Sequence, residues 1–277
     1  MKVWKKVLLI ISGVALVLGI CCIVLGLILG GRTNAIRHTA GDYFNIGFGN
    51  HSFDIWDDWR DDFSVGNETT REFSNIEELD IESKYGDIII KEYDGPTIKV
   101  TSQRVNPLKY SAEEDGYVLM ITDHTVRSSN HPKITIQIPK DYHFTDVSIG
   151  LYGGTVSIDT LNTDEFDADI GAGKLLVTKG LSSTEVDCTV GAGSIDFGLL
   201  ESSYVELECG AGEIKTWMSG GQSDYYLEGD CAIGEVRFGS QKFSGNVEDI
   251  AFGSGDNVID VDCGVGRIDI QFQDSKV

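Results

Sequence analysis

From residue 72 onward, apolar and polar positions alternate with period two around recurring glycines. Aligned on Gly173, Gly193, Gly212, Gly234 and Gly266, the chain reads FDADIGAGKLLV, VDCTVGAGSIDF, VELECGAGEIKT, LEGDCAIGEVRF and IDVDCGVGRIDI. Gly86 and Gly154 fit the same frame. Seven positions before the anchor stand Leu79, Phe166, Val186, Val205, Leu227 and Ile259. Five before stand Ile81, Ala168, Cys188, Leu207, Gly229 and Val261; three before stand Ile170, Val190, Cys209, Cys231 and Cys263, with Ser83 the exception. Two after stand Ile88, Val156, Leu175, Ile195, Ile214, Val236 and Ile268. Alternation of this kind marks strands with one buried face, and the glycines allow a bend that other residues resist. Each segment is therefore expected to be strand, bend, strand.

One such unit cannot bury its own apolar face, whereas stacked units can. From Gly154 the anchors are spaced by 19, 20, 19, 22 and 32 residues, so the last gap should hold an insertion or a degenerate coil. The fold class expected is all-β, a parallel β-helix or solenoid with about 20 residues per coil. No long helical period appears after residue 30. All four prolines fall between Pro96 and Pro139, so the second half keeps every backbone donor for its ladders. Residues 95–147 are less regular, and are expected to form early, irregular coils.

The amino-terminal segment follows another pattern. Residues 7–30 are apolar and uncharged, long enough for the ~20 residues that span a bilayer and longer than the roughly 7–15 of a signal peptide core. A retained transmembrane helix is expected to precede the solenoid. Lys2, Lys5 and Lys6 before it outnumber Arg32 and Arg37 after it, which favours a cytoplasmic amino terminus. The expected layout is a short cytoplasmic N-terminus (1–6), the transmembrane helix (7–30), an extracytoplasmic aromatic and acidic linker (31–71), and the solenoid (72–277). Ile20 before Cys21 is too large for a lipoprotein signal, so Cys21 and Cys22 read as membrane residues.

Charge narrows the function. The formal net charge is −22, and residues 1–30 carry three lysines and no acid. The rest repels nucleic acid and anionic lipid. In a stack, equivalent positions form columns. Six before the anchor stand Asp80, Asp167, Asp187, Glu206, Glu228 and Asp260; four before stand Glu82, Asp169, Glu208, Asp230 and Asp262, broken by Thr189. Like charges opposed across strands are destabilising. Either these carboxylates only keep the face soluble, or they hold divalent cations or a basic ligand. The candidate ligand-binding ladder is Asp167, Asp169, Asp187, Glu206, Glu208, Glu228, Asp230, Asp260 and Asp262. Calcium is conceivable because it takes several oxygen ligands, but no calcium-loop motif is present; no other cofactor is expected. After the anchor, signs mix between coils, a pattern suited to pairing across rungs.

Other residues yield less. Cys209, Cys231 and Cys263 share one inward column and read as buried thiols, with a Cys209–Cys231 bridge as the alternative. Zinc is disfavoured, since no CxxC pair or nearby histidine accompanies them. The five histidines lie outside the regular repeats without metal-ligand spacing. GAGK at Gly171–Lys174 lacks the phosphate-loop frame and recurs as GAGS and GAGE, so it reads as a bend. Residues 42–63 mix aromatics and aspartates; they suit capping of the solenoid's end, or binding of a partner through Trp56, Trp59 and Phe63.

ITIQIPKDYHFTDVSIGLYGGTVSIDTL (134–161), followed by the glycine-anchored repeats, resembles the bacterial "putative adhesin" family, a domain of unknown function. The resemblance covers roughly residues 72–277. It implies a β-solenoid in a membrane-anchored envelope protein and brings no catalytic residues. The expectation is a non-enzymatic, single-pass cell-envelope protein with an extracytoplasmic acidic surface for adhesion or ligand binding. Its partners would be the membrane through residues 7–30, and a cationic ligand, a wall polymer or a membrane protein, but not nucleic acid. The alternatives are an accessory protein of envelope-stress signalling and, below that, a polysaccharide-acting β-helix enzyme, which would need carboxylates and a base converging on one groove.

Overall fold

The computed structural model describes residues 46–48, 51–53, 67–125 and 131–273. The expected membrane span (7–30) and the partner candidates Trp56, Trp59 and Phe63 lie outside the described residues, and among those described no helix is long and apolar enough to cross a membrane. The chain divides into two units, residues 1–60 and 61–277. The first holds an antiparallel hairpin of β1 (Ile46–Phe48) and β2 (His51–Phe53).

Among its described residues, the regular structure of the second unit is strand apart from a short 3-10 turn, Gln222–Asp224. In chain order its strands are β3 (Thr69–Phe73), β4 (Glu78–Ser83), β5 (Gly86–Tyr93), β6 (Ile98–Gln103), β7 (Tyr110–Asp115), β8 (Val118–Asp123), β9 (Lys133–Pro139) and β10 (His143–Leu151). There follow β11 (Gly154–Ile170), β12 (Lys174–Ser182), β13 (Glu185–Val190), β14 (Ser194–Glu201), β15 (Tyr204–Cys209) and β16 (Glu213–Ser219). The last are β17 (Tyr225–Cys231), β18 (Glu235–Phe238), β19 (Gln241–Ser244), β20 (Val247–Gly253), β21 (Asn257–Cys263) and β22 (Arg267–Gln273). They stack as a parallel solenoid. Each rung has a leading strand before the bend and a trailing strand after it.

The rungs do not follow chain order. From one end the leading strands run β8, β4, β10, the second half of β11, β13, β15, β21 and β17, which makes eight rungs. The trailing strands run β9, β5, the first half of β11, β12, β14, β16, β22 and β18. At the first end the chain leaves rung 2 and lays β6 and β7 antiparallel on the outside of rung 1, which it then builds. At the far end it builds rung 8, lays β19 and β20 antiparallel outside it, and returns to fill rung 7.

Three expectations are corrected here. The coils expected to stack in chain order are transposed at both ends. Residues 95–147 hold two antiparallel capping strands, β6 and β7, one leading–trailing pair, β8 and β9, and the start of β10, not irregular coils throughout. The long final gap is an insertion, the β19–β20 cap. His143 also lies inside a regular strand, β10, rather than outside the repeats. Edges that would otherwise template further pairing are blunted by charge: β7 ends in exposed Glu113, Glu114 and Asp115, and β20 carries exposed Glu248 and Asp249.

The offsets read from sequence point inward as expected. Phe166, Val186, Val205, Leu227 and Ile259 are all buried, and Phe166 meets Phe197 edge-on at 6.3 Å. The glycine corner needs its glycines for close approach. A Cβ on Gly154, whose φ is +117°, would strike the Gly86 backbone, and one on Gly193 would strike the Gly173 carbonyl. The opposite corner is built on hydroxyls. Ser183 Oγ donates to the Asp164 and Glu185 carbonyls at 3.0 and 2.6 Å, and Ser202 Oγ donates to Thr184 and Tyr204 at 3.0 and 2.8 Å. Thr163 does the same to Glu165 at 2.8 Å. These hydroxyls add donors to the corner carbonyls, of which those of Asp164 and Thr184 also accept backbone N–H groups from the next rung.

Candidate functional site: an acidic face

Every residue of the expected ladder stands on the outer side of the leading strands. One column reads, rung by rung from the second, Asp80, Ser148, Asp167, Asp187, Glu206, Asp260 and Glu228. The five acids from Asp167 to Glu228 stand without a gap. The next column reads Glu82, Gly150, Asp169, Thr189, Glu208, Asp262 and Asp230. Transposition changes who faces whom: Asp260 stands between Glu206 and Glu228, and Asp262 between Glu208 and Asp230.

The structure adds a third acidic column that the sequence pattern did not bring out. Two residues outward of the first stand Glu78, Asp146, Glu165 and Glu185, in register over rungs 2 to 5, followed by Tyr204. The apolar frame ends at Leu79 and its equivalents, one position short of them; extending the same two-residue period reaches the column. The three columns form an oblique band that starts far from the bend and ends close to it. No Lys or Arg occupies any of their positions.

Burial and crowding raise six of these carboxyls. Asp167 is pushed up to about 6, first by desolvation and then by Glu165, Asp146 and Asp187. Asp146, Asp187, Glu206, Glu208 and Asp262 are also raised, each by burial first and by neighbouring acids second. Towards the far end the band sinks into a depression of about 230 Å³ lined by Glu206, Glu208, Asp230, Asp260 and Asp262. Its floor opens at Gly229, whose φ of +128° brings its backbone onto Val261, where a Cβ would clash. Asp230 is fixed there by the cap, accepting a hydrogen bond from the Asp249 amide at 2.8 Å.

The trailing face is built oppositely. One column reads Glu213, Arg267, Glu235 and the next reads Asp196, Lys215, Asp269, Arg237. Over these rungs, from 6 to 8 in the first column and 5 to 8 in the second, the signs alternate. Glu235 contacts Arg237 Nε and Lys242 Nζ at 2.6 Å, and these partners hold its carboxyl below the usual range, Lys242 foremost. Arg267 contacts Asp269 at 2.8 Å.

Among the described residues no group of three or more His, Cys, Asp or Glu is placed to hold a metal ion. The reason is geometric: side chains on successive parallel rungs project side by side, about 4.8 Å apart, and do not converge. The Gly171–Gly173 bend is structural, since Gly171 N and Ala172 N donate to the carbonyls of Leu151 and Tyr152 at 2.9 and 2.8 Å. The four described cysteines are free and buried. A Cys209–Cys231 bridge is corrected: Cys263 stands between the two.

Residues 76–222 match the family model described as Toastrack DUF4097, which is more than half of the chain. The chain belongs to the Toastrack DUF4097 family. The match spans rungs 1 to 6, so the Toastrack model covers most of the acidic band. No curated protein matches the chain. Among solved structures, a "putative cell adhesion protein" from Clostridium sporogenes is 18% identical, with 75% of this chain and 99% of that one covered and a TM-score of 0.36. A "putative adhesin" from Bacteroides fragilis is 14% identical, with 74% and 97% covered and a TM-score of 0.43. A "putative lipid binding protein" from Parabacteroides distasonis is 14% identical, with 76% and 97% covered and a TM-score of 0.28.

Proposed function

We propose that this Toastrack protein is a non-enzymatic, membrane-anchored envelope protein whose acidic leading face binds a cationic ligand, as an adhesin or a ligand-binding surface does. One observation carries the reading: three in-register columns of carboxylates with no Lys or Arg among them. Like charges repeated across a ladder cost stability, and the trailing face of the same rungs avoids that cost. The lengthwise spread of the acids supports a surface rather than a reaction centre, which would draw an acid, a base and a pocket together. Anchorage rests on the apolar run 7–30, with the solenoid outside the cell.

The test is binding of a fluorescent oligolysine peptide to the full chain and to a D187K/E206K/E228K variant, with circular dichroism as the check on folding. Binding should be lost in the variant and weaken steeply with salt. Undiminished binding by a folded variant would remove the acidic face from the function.

A further inference from the structure

The inward column three positions before the bend carries Ile170 and Val190 in rungs 4 and 5, and then cysteine in three successive rungs: Cys209, Cys263 and Cys231. Their relative exposures are 2%, 0% and 1%. In chain order the middle one comes last, because rung 7 is filled last. The thiols crowd one another over bare backbone. A Cβ on Gly266 would collide with Cys209 Sγ, and one on Gly234 with Cys263 Sγ. Cys263 Sγ also approaches the Glu235 carbonyl at 3.8 Å. Neighbouring strands lie about 4.8 Å apart, inside the roughly 4.4–6.8 Å that a disulfide's α-carbons span.

We propose that Cys209 and Cys263 are a disulfide-forming pair that staples the returning last rung to rung 6, with Cys231 as the adjacent thiol that can take over the bond. The oxidant is another disulfide. The Cys209 thiolate attacks one of its sulfurs, forming a mixed disulfide and expelling one thiolate. Cys263 then loses its proton, attacks the Cys209 sulfur and expels the second thiolate. Two protein thiols are oxidised and the incoming disulfide is reduced to two thiols. Attack of Cys231 on the Cys263 sulfur would move the bond to Cys231–Cys263 and free Cys209.

The order of attack follows from the contact between the first two thiols. Cys263 donates to Cys209, which holds the Cys209 thiol down to about 7 and pushes Cys263 up. Burial pushes Cys231 up to about 11. The thiolate is the attacking form, so Cys209 starts the exchange. Cys188, which faces Ala168 and Leu207 across the ladder, has no thiol neighbour and should stay reduced.

The full chain would be incubated with oxidised glutathione, in buffer and in urea below the unfolding midpoint, which promotes local opening and admits the reagent to the buried thiols. Free thiols would then be alkylated and the digest mapped without reduction. The expected product is a Cys209–Cys263 linked peptide with Cys188 and Cys231 alkylated, and a Tm above that of the reduced chain. C263S should form no link within the trio, while C231S should form the same link as wild type. A Cys209–Cys231 link would overturn the proposal, as would a Cys231–Cys263 link formed first. So would three thiols that react with the alkylating agent in urea yet never pair.

Discussion

In rung 7 the leading strand places Asp260 between Glu206 and Glu228, while the trailing strand of the same rung places Arg267 between Glu213 and Glu235. The two strands share a backbone register, a bend and a core. They differ only in what they show to water. On the trailing face rungs 6 to 8 answer one another with opposite signs, as cross-strand pairing favours. On the leading face acid stands on acid for five rungs. Excess negative charge keeps such a face soluble, but solubility does not by itself require the acids to stand in register on successive rungs. The leading face thus keeps an electrostatic cost that the trailing face of the same fold avoids, and a surface that attracts cations is what it obtains.

The largest effect should come from removing the corner that separates the faces. Gly193→Ala would drive a Cβ into the Gly173 carbonyl, which is backbone and cannot swing away. Overpacking of this kind costs roughly 3 kcal/mol, read as a fall in the urea midpoint. A Gly193→Ala chain of unchanged midpoint would mean that the corner is looser than its contacts.

The faces should next separate by pH. Asp167 has a folded value of about 6, above its ordinary 3.8. Above about pH 6 the folded state holds a charge it disfavours; as pH falls through 6 towards 4 the folded state takes up the proton first, so stability rises. Linkage gives Asp167 at most ~0.8 kcal/mol between pH 7.5 and 5.5, and less once the solvent screening of a half-exposed group is allowed for, so lowering pH over this range should raise Tm by about 1–2 °C. Asp167→Asn should raise Tm at pH 7.5 and flatten the pH dependence. A Tm that falls steadily over this range would show that the Asp167 charge is not a cost to the folded state, because the trailing-face carboxyl of Glu235, held below its usual range, stays ionised throughout it.

Charge exchange within rung 7 is a finer comparison. Arg267→Glu would set three acids in a row on the trailing face and should cost about 1 kcal/mol. Asp260→Asn relieves such a row on the leading face and should stabilise by a few tenths of a kcal/mol. Equal losses from both, measured by chemical denaturation, would erase the distinction between the faces.

Much of this architecture can be read along the chain, and the part that cannot has a physical cause. The glycine anchors and their flanking period of two are local, so Phe166, Val186 and Val205 fall inward and Asp187 and Glu206 outward as the pattern requires. The order of the rungs is not local. Chain order puts Glu213, Glu235 and Arg267 in sequence, with two like charges adjacent; only transposition of the last two rungs makes the signs alternate. The alternation is therefore a readable sign of the true order, visible once pairing rather than chain order is used to sort the column. Rung 1 was hidden for another reason: the chain between its leading and trailing strands, residues 124–132, has no glycine anchor. The column Glu78, Asp146, Glu165, Glu185 was hidden only because the alignment followed apolar residues and ended with them.

The smallest effect concerns screening, and it tests whether the leading face carries a real electrostatic cost. At ~1 M ionic strength exposed charges interact over only about 3 Å, less than the spacing between rungs. Salt should therefore stabilise the chain by a few tenths of a kcal/mol, since relief on the leading face outweighs weakened pairs on the trailing face. In a D167N/D187N/E206Q variant the repulsion between leading-face acids shrinks while Arg267, Asp269 and Glu235 are untouched, so added salt should become neutral or destabilising. The sign of that change, read from Tm in sodium chloride at pH 7.5, is what matters. A variant that gains as much from salt as the parent would show that the acids already lie far enough apart in water to ignore one another, and the contrast between the two faces would then be one of composition without energetic consequence.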